Sequence, residues 1–312
     1  MANDMRQSDQ SATNREDRIN VITLIAKHET PFLNKAKKTT ATNGQHNWQT
    51  DTMDAPDKDN SAIGGASVTF TDADWKVRPN LYNNTQIMFK KVSVSYEQDW
   101  TDKPQLGRGE RTEYNYQEAK KTKELARNNE AALLSDNDRV APTASAAGKM
   151  RGISKWIETN SMDAAVILKN NPILSQALFE SAFARTYMKG GNPRLVMCNV
   201  YQKMRIARFV TPAGRTIGET GTKLVNVVNQ VETVGGMADI VLNPIMDADK
   251  VFFLDMDYWY VAFFMPLYKE ILGKTGRKTE GYVENTLTLE ARNEQSSAQI
   301  KNLSFENYGT IA

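Results

Sequence analysis

TPFLNKAKKTTATNGQHNWQTD, residues Thr30 to Asp51, and NNTQIMFKKVSVSYE, residues Asn83 to Glu97, decide how this chain is read. Both set large rings among polar residues, Phe32 and Trp48 in the first and Phe89 in the second, and Trp75 and Trp100 flank the second in the same manner. Between them, Asp51 to Asp74 carries Asp51, Asp54, Asp57, Asp59, Asp72 and Asp74 against Lys58 alone. So little apolar area cannot offset the entropy of ordering so long a stretch, and the rings are expected to bury against something outside it. That is the pattern of an assembly subunit.

Toward the N-terminus, residues 1 to 17 are polar and expected to be mobile unless a neighbour orders them. The apolar run Ile19 to Ala26 is no secretory signal: Asp4, Asp9, Glu16 and Asp17 precede it, and Lys27-His28-Glu29 stands where small cleavage-site residues belong. The cluster Lys35, Lys37, Lys38 either faces an anion or is a solvated charge run. Around Gly64-Gly65, the alternation in Ala66 to Phe70 and in Thr85 to Tyr96 predicts a long β-hairpin with an irregular tip. A lone two-stranded ribbon is marginal in water, so its acidic face is expected on a basic surface of a partner.

Toward the C-terminus, Glu110 to Asp136 contains no Gly or Pro and is rich in helix formers. Helical from Arg111 to Asp136, it would extend about 39 Å. Its apolar stripe, Tyr116, Ala119, Leu125, Ala126, Ala132 and Leu133, is thin beside Lys120, Lys121, Lys123, Glu124 and Arg127, which predicts a strut lying on a surface. Beyond the small-residue loop Ala141 to Gly148 the texture becomes globular. A helix is expected from Pro172 to Lys189, stopped by Gly190-Gly191, then a buried strand Leu195 to Cys198 and a short helix after Asn199 as N-cap. Strands follow within Leu224 to Val234, Ile240 to Leu242, Val251 to Leu254 and Tyr258 to Met265. Val283 to Leu303 alternates, with Leu287, Leu289 and Ala291 opposite Thr286, Thr288 and Glu290, and should return as a strand beside the long helix. The class is α+β.

Composition removes several functions. Lys and Arg total 39 against 37 Asp and Glu, a formal charge of +2, which gives no global field for a polyanion or a membrane surface. Cys198 is the single cysteine and is read as a small buried apolar group. With it, His28 and His46 could barely assemble one zinc set, so no metal is expected. Gly273-Lys274-Thr275 lacks the P-loop glycine five residues earlier, where Tyr268 stands. No Gly-x-Ser-x-Gly, His-Glu-x-x-His or Cys-x-x-Cys occurs, and either histidine of a triad would come from the arm. Asp255 and Asp257 make a tight turn or a cation site. Lys203, Arg205, Arg208 and Arg215 contact phosphate or form a solvated or subunit-pairing face. Tyr258 to Leu267, broken by Pro266, falls short of the roughly 20 residues of a spanning helix. No catalytic residue, no cofactor and no membrane partner are expected.

Thr30-Pro-Phe-Leu, His46-Asn-Trp-Gln-Thr-Asp51, Asn84-Thr-Gln-Ile, Tyr116-Gln-Glu-Ala-Lys-Lys-Thr-Lys-Glu-Leu125, Glu130-Ala-Ala-Leu-Leu134, Met150-Arg-Gly-Ile and Gly190-Gly-Asn-Pro193 are carried in order. Together they resemble tailed-bacteriophage major capsid proteins of the Hong Kong 97 type, from about residue 19 to about 210 and more loosely to the C-terminus. The resemblance implies a thin plate: an N-terminal arm over 1–51, an extended loop over 52–100, a peripheral domain with a spine helix over 101–164, an axial domain over 165–270, and a returning peripheral strand over 271–312. It implies copies of the chain as partners, in hexamers and pentamers, with a portal, a separate scaffold and decoration proteins, and double-stranded DNA held by enclosure. A scaffold is expected to be separate because only about 17 polar residues stand ahead of Ile19. Some relatives cross-link a loop lysine to an asparagine; Lys58 or Lys76 would be the donors, and no matched motif supports it. The expected inter-subunit contacts are Phe32, Lys35, Lys37, Lys38, Trp48, Asp57, Asp59, Trp75, Phe89 and Trp100. A nanocompartment shell of the same fold is one alternative, and a DNA-binding or connector virion protein, drawn from the lysine and arginine clusters, is another.

Overall fold

Residues free of Gly and Pro make the longest helix among the described residues, 23 residues from Thr112 to Leu134, about 34 Å long. The computed structural model describes residues 29–53, 56–59, 61, 64–65, 67, 77–102, 106, 109, 111–169, 172–209, 230–233, 236–273 and 276–304. Within these the chain runs α1 (Pro31–Lys35), β1 (Lys37–Thr40), β2 (Gln45–Gln49), β3 (Asn80–Asn84), β4 (Gln86–Ser95), α2 (Tyr96–Trp100), α3 (Thr112–Leu134) and α4 (Ile153–Trp156). It continues with β5 (Ser161–Asp163), α5 (Ala164–Leu168), α6 (Gln176–Met188), β6 (Leu195–Cys198), α7 (Val200–Ile206), β7 (Gln230–Thr233) and β8 (Gly236–Leu242). β9 (Val251–Leu254), β10 (Trp259–Ile271), β11 (Lys278–Ala291) and β12 (Ala298–Lys301) complete it.

Among the described residues three sheets form, in the orders β1-β10-β11-β4, β5-β12-β9-β6-β8-β7 and β2-β3. In the six-stranded sheet β6 and β9 are continuous apolar runs, LVMC and VFFL, buried at every residue, as central strands covered on both faces must be. They pair antiparallel, while β6 and β8 run parallel. Ser175 caps α6 by accepting from the amide of Leu178, so the helix starts at Gln176, four residues after the expected Pro172. Its face of Leu178, Phe179, Ala182 and Phe183 packs on Val196, Cys198, Phe253 and Ile300. Phe179 and Phe183 each meet Phe253 edge-on at 5.1 Å, an orientation that adds to area burial. Gly190, at φ 78°, takes the left-handed turn that ends α6. A Cβ on Gly191 would lie 2.4 Å from the Cα of Ser296.

The described residues fall into two compact units. One comprises 90–122 and 269–283. Its small core is Val92, Val94 and Tyr114. The buried carboxylate of Asp99, on α2, accepts from the amides of Glu113 (3.1 Å) and Tyr114 (3.2 Å), capping α3 from 14 and 15 residues away. Gly281 lets the Tyr114 hydroxyl approach β11, since a Cβ there would lie 2.0 Å from that oxygen and 2.5 Å from the carbonyl of Glu270. The other unit comprises 29–89, 123–268 and 284–304 and holds the six-stranded sheet.

Several expectations are corrected. The hairpin arm Thr85 to Tyr96 is β4, hydrogen-bonded to β11, while β3 pairs with β2, Trp48 opposite Leu81. Each strand finds a distant partner because alternation fixes a face and not a neighbour. The other arm, Ala66 to Phe70, lies outside the described residues save Ser67, as does Trp75, so the expected pairing of the two arms is not among the corrections. On α3 the buried ring is Tyr114, with Leu125, Leu133 and Leu134, while Ala119 is exposed. Val283 to Leu303 is two strands, β11 and β12, separated by a 3-10 turn at Glu294–Ser296 and belonging to different sheets. No described helix is long and apolar enough to cross a membrane.

Candidate assembly surfaces

The first stretch quoted above is not left for a partner to cover. Pro31 opens α1, where its missing N–H costs nothing, and the next two amides, Phe32 and Leu33, each donate at 2.8 Å to the carboxylate of Glu130 on α3. Phe32 is 0 % exposed. β1 then adds in parallel to the edge of β10, Lys37 beside Tyr260 to Thr40 beside Phe263. Lys37 Nζ pairs with Asp257 at 2.8 Å; that hydrogen bond raises the lysine pKa and lowers the aspartate's. β2 lays Trp48 beside Trp156, ring centroids 5.6 Å apart, with its Nε1 donating to the carbonyl of Ala291 at 2.9 Å. His46 Nε2 meets Glu290 at 3.0 Å, and Arg292 reaches the other oxygen at 2.6 Å.

Phe32 and Trp48, expected to contact other subunits, are therefore buried by their own chain. The reason is that the arm need not supply its own core when α3 and β11, far away in sequence, supply one. Lys35, Lys37, Lys38, Asp57 and Asp59 are exposed, as are Phe89 and Trp100, each at 53 %. Trp75 is outside the described residues. Other exposed apolar side chains are Val200, Tyr201 and Met204 on α7, Met237 and Leu242 on β8, and Tyr187 and Met188 at the end of α6. Large exposed apolar groups in such numbers suit contact with other molecules. The only signal for them in sequence is that a seven-residue helix of sequence VYQKMRI is apolar on more than one side.

The residues weighed for chemistry resolve into structure. Asp255 accepts from the amides of Asn192 (3.3 Å) and Asp257 (3.2 Å), the self-capping of a tight turn. Arg205 is 6 % exposed, so the basic residues of α7 do not form one face; Arg215 lies outside the described residues. Cys198 is buried and its thiol is pushed up to about 12 by burial, far from the thiolate that chemistry needs. Among the described residues no three His, Cys, Asp or Glu groups could hold a metal. A polar cleft of about 740 Å³ is lined by Asp136, Ser154, Lys155, Asp247, Lys250 and Gln299, among others. Its buried ammonium, Lys250, is held by Asp136 and, at 2.8 Å, by Asp247. Burial opposes that charge, and the two carboxylates outweigh it, leaving the lysine pKa raised.

Comparison with known proteins places this geometry. The family model described as "SU10 major capsid protein" matches residues 5–304. The major capsid protein of Escherichia phage Phieco32 is 26 % identical over 236 residues, covering 72 % of this chain and 62 % of that protein, so the chain matches less than two thirds of that relative's length. Among solved structures, the capsid of an empty GTA particle is similar at a TM-score of 0.65 and 9 % identity, covering 96 % of this chain and 99 % of that one. The SrpI encapsulin of Synechococcus elongatus PCC 7942 is similar at 0.58 and 10 % identity, covering 99 % of each chain. With α3 as the long helix and the six-stranded sheet apart from it in sequence, the fold is the Hong Kong 97-like α+β fold, and the chain belongs to the SU10 major capsid protein family.

Proposed function

We propose that this chain is the shell subunit of a tailed-bacteriophage head, joining as hexamers and pentamers into an icosahedral container around double-stranded DNA. The observation that carries this is the match of the capsid family model to residues 5–304. The subunit acts by contact and not by catalysis, assembling in the host cytoplasm with a portal, a separate scaffold and decoration proteins. DNA is retained by enclosure, consistent with a formal charge of +2. In this reading 1–51 is the arm, 52–100 the extended loop, 101–164 the peripheral domain, 165–270 the axial domain and 271–312 the returning strand. The contact residues that remain exposed are Lys35, Lys37, Lys38, Asp57, Asp59, Phe89 and Trp100.

Similarity to an encapsulin at a TM-score of 0.58 favours a second reading, a nanocompartment shell. Particles purified from cells expressing the chain with its neighbouring genes separate the two by what they protect from nuclease and protease. Genome-length duplex DNA is expected for a phage head; a bound cargo protein without DNA would replace that reading with the second.

A further inference from the structure

Glu130 joins three parts of the chain that sequence keeps far apart. One oxygen, Oε1, accepts from the Phe32 amide at 2.8 Å and from Asn243 Nδ2 at 2.6 Å; Oε2 accepts from the Leu33 amide at 2.8 Å. Those partners lie 98, 113 and 97 residues away respectively. The side chain is 0 % exposed, so each donor stands where water cannot replace it, and an acceptor that loses a donor there is left unsatisfied. The amides of Phe32 and Leu33 are first-turn donors of a five-residue helix whose N-cap, Thr30, makes no side-chain cap. Such amides have no intrahelical acceptor, and Glu130 is theirs.

Asn243 is fastened as tightly on its other side. Its amide donates to the Cys198 carbonyl at 3.0 Å, and its Oδ1 accepts from Ile245 at 3.0 Å. The loop that follows is tied down by Asn199 to the Met246 carbonyl, Gln202 to the Ala248 carbonyl, and Lys250 to Asp136 on the stretch just after α3. Past the latch the arm runs on as β1, paired with the edge of β10, and as β2, paired with β3, with Lys35, Lys37 and Lys38 exposed.

We propose that Glu130 is the latch of a strap: residues 30–36 dock on its carboxylate as a unit, and their docking and the ordering of residues 243–250 are one event shared through this side chain. Asn243 touches no strap residue through any hydrogen bond given above, so coupling between them tests the latch rather than local contact. Hydrogen exchange of the full chain, read by mass spectrometry, is expected to give segments 30–36 and 243–250 protection within about tenfold of each other. Asn243→Ala is expected to speed exchange of 30–36 by about tenfold, the effect of one lost hydrogen bond to a charged group. Protection of the two segments differing by more than tenfold in the unaltered chain overturns the proposal, even should the variant fail to fold. So does unchanged exchange of 30–36 in a folded Asn243→Ala protein.

Discussion

The groups that face Glu130 are the amides of Phe32 and Leu33 and the carboxamide of Asn243, with Lys35 of α1 exposed at the far end of that helix. None of the three supplies a charge. Burial pushes the carboxyl up from the ordinary glutamate value, and the hydrogen bonds from Leu33, Phe32 and Asn243 offset only part of that. A group raised on folding gives stability that is complete below the unfolded value, about 4.3, and fades as pH climbs through the folded one. Glu130→Gln does not titrate. The melting temperature of the unaltered chain minus that of the variant is therefore expected to be larger near pH 4 than near pH 7. A difference that grows between pH 4 and pH 7 would mean that the hydrogen bonds outweigh burial. In sequence this residue stands only as the first of Glu130-Ala-Ala-Leu-Leu134; its role is hidden, because Glu130 reads as one more charge on a lysine-rich helix and its partners lie about a hundred positions away. The rings were visible as rings that need cover; that Phe32 is buried where its amide meets Glu130, and Trp48 beside Trp156 with its indole on the Ala291 carbonyl, depends on tertiary pairing that periodicity does not encode.

Elements were more legible than their neighbours. β6 and β9 were read to the residue, since a four-residue apolar run bounded by polar residues and turns has few other uses, and α7 begins after Asn199, which holds the N-cap position but sends its side chain to the Met246 carbonyl rather than capping. What sequence could not give was that β11 is covered on both sides. From Thr286 to Ala291 every residue is buried, polar and apolar alike, because β2 and β3 meet the polar side: Thr288 Oγ1 donates to the Asn84 carbonyl at 2.9 Å and Glu290 takes His46. The crossing of Tyr114 over Gly281 is equally hidden, and it is open to test. Gly281→Ala places a methyl 2.0 Å from the tyrosine oxygen and is expected to cost about 1–3 kcal/mol in denaturant unfolding. Adding Tyr114→Phe removes the nearest clash but not the Glu270 carbonyl at 2.5 Å, so the pair should recover part of that loss. Full additivity of the two substitutions would show that the contact does not exist.

At the scale of the molecule, the arm was first read as surplus chain awaiting a partner. Residues 30–49 instead complete the interior of the unit they belong to, so truncation through residue 50 would strip Phe32 and Trp48 from it. In the proposed shell, the surface left for other subunits is the exposed set: the lysines of the arm, Phe89, Trp100, and the apolar side chains of α7 and β8. Interfaces between shell subunits close only at the level of the particle, so their existence shows as mass and not as any feature of one copy. Sedimentation velocity of the purified full chain over a wide range of concentration measures that mass directly. If the chain is a shell subunit, pentamers, hexamers or larger particles are expected to grow in with concentration; a single boundary at the 35.0 kDa of one copy at every concentration would contradict it.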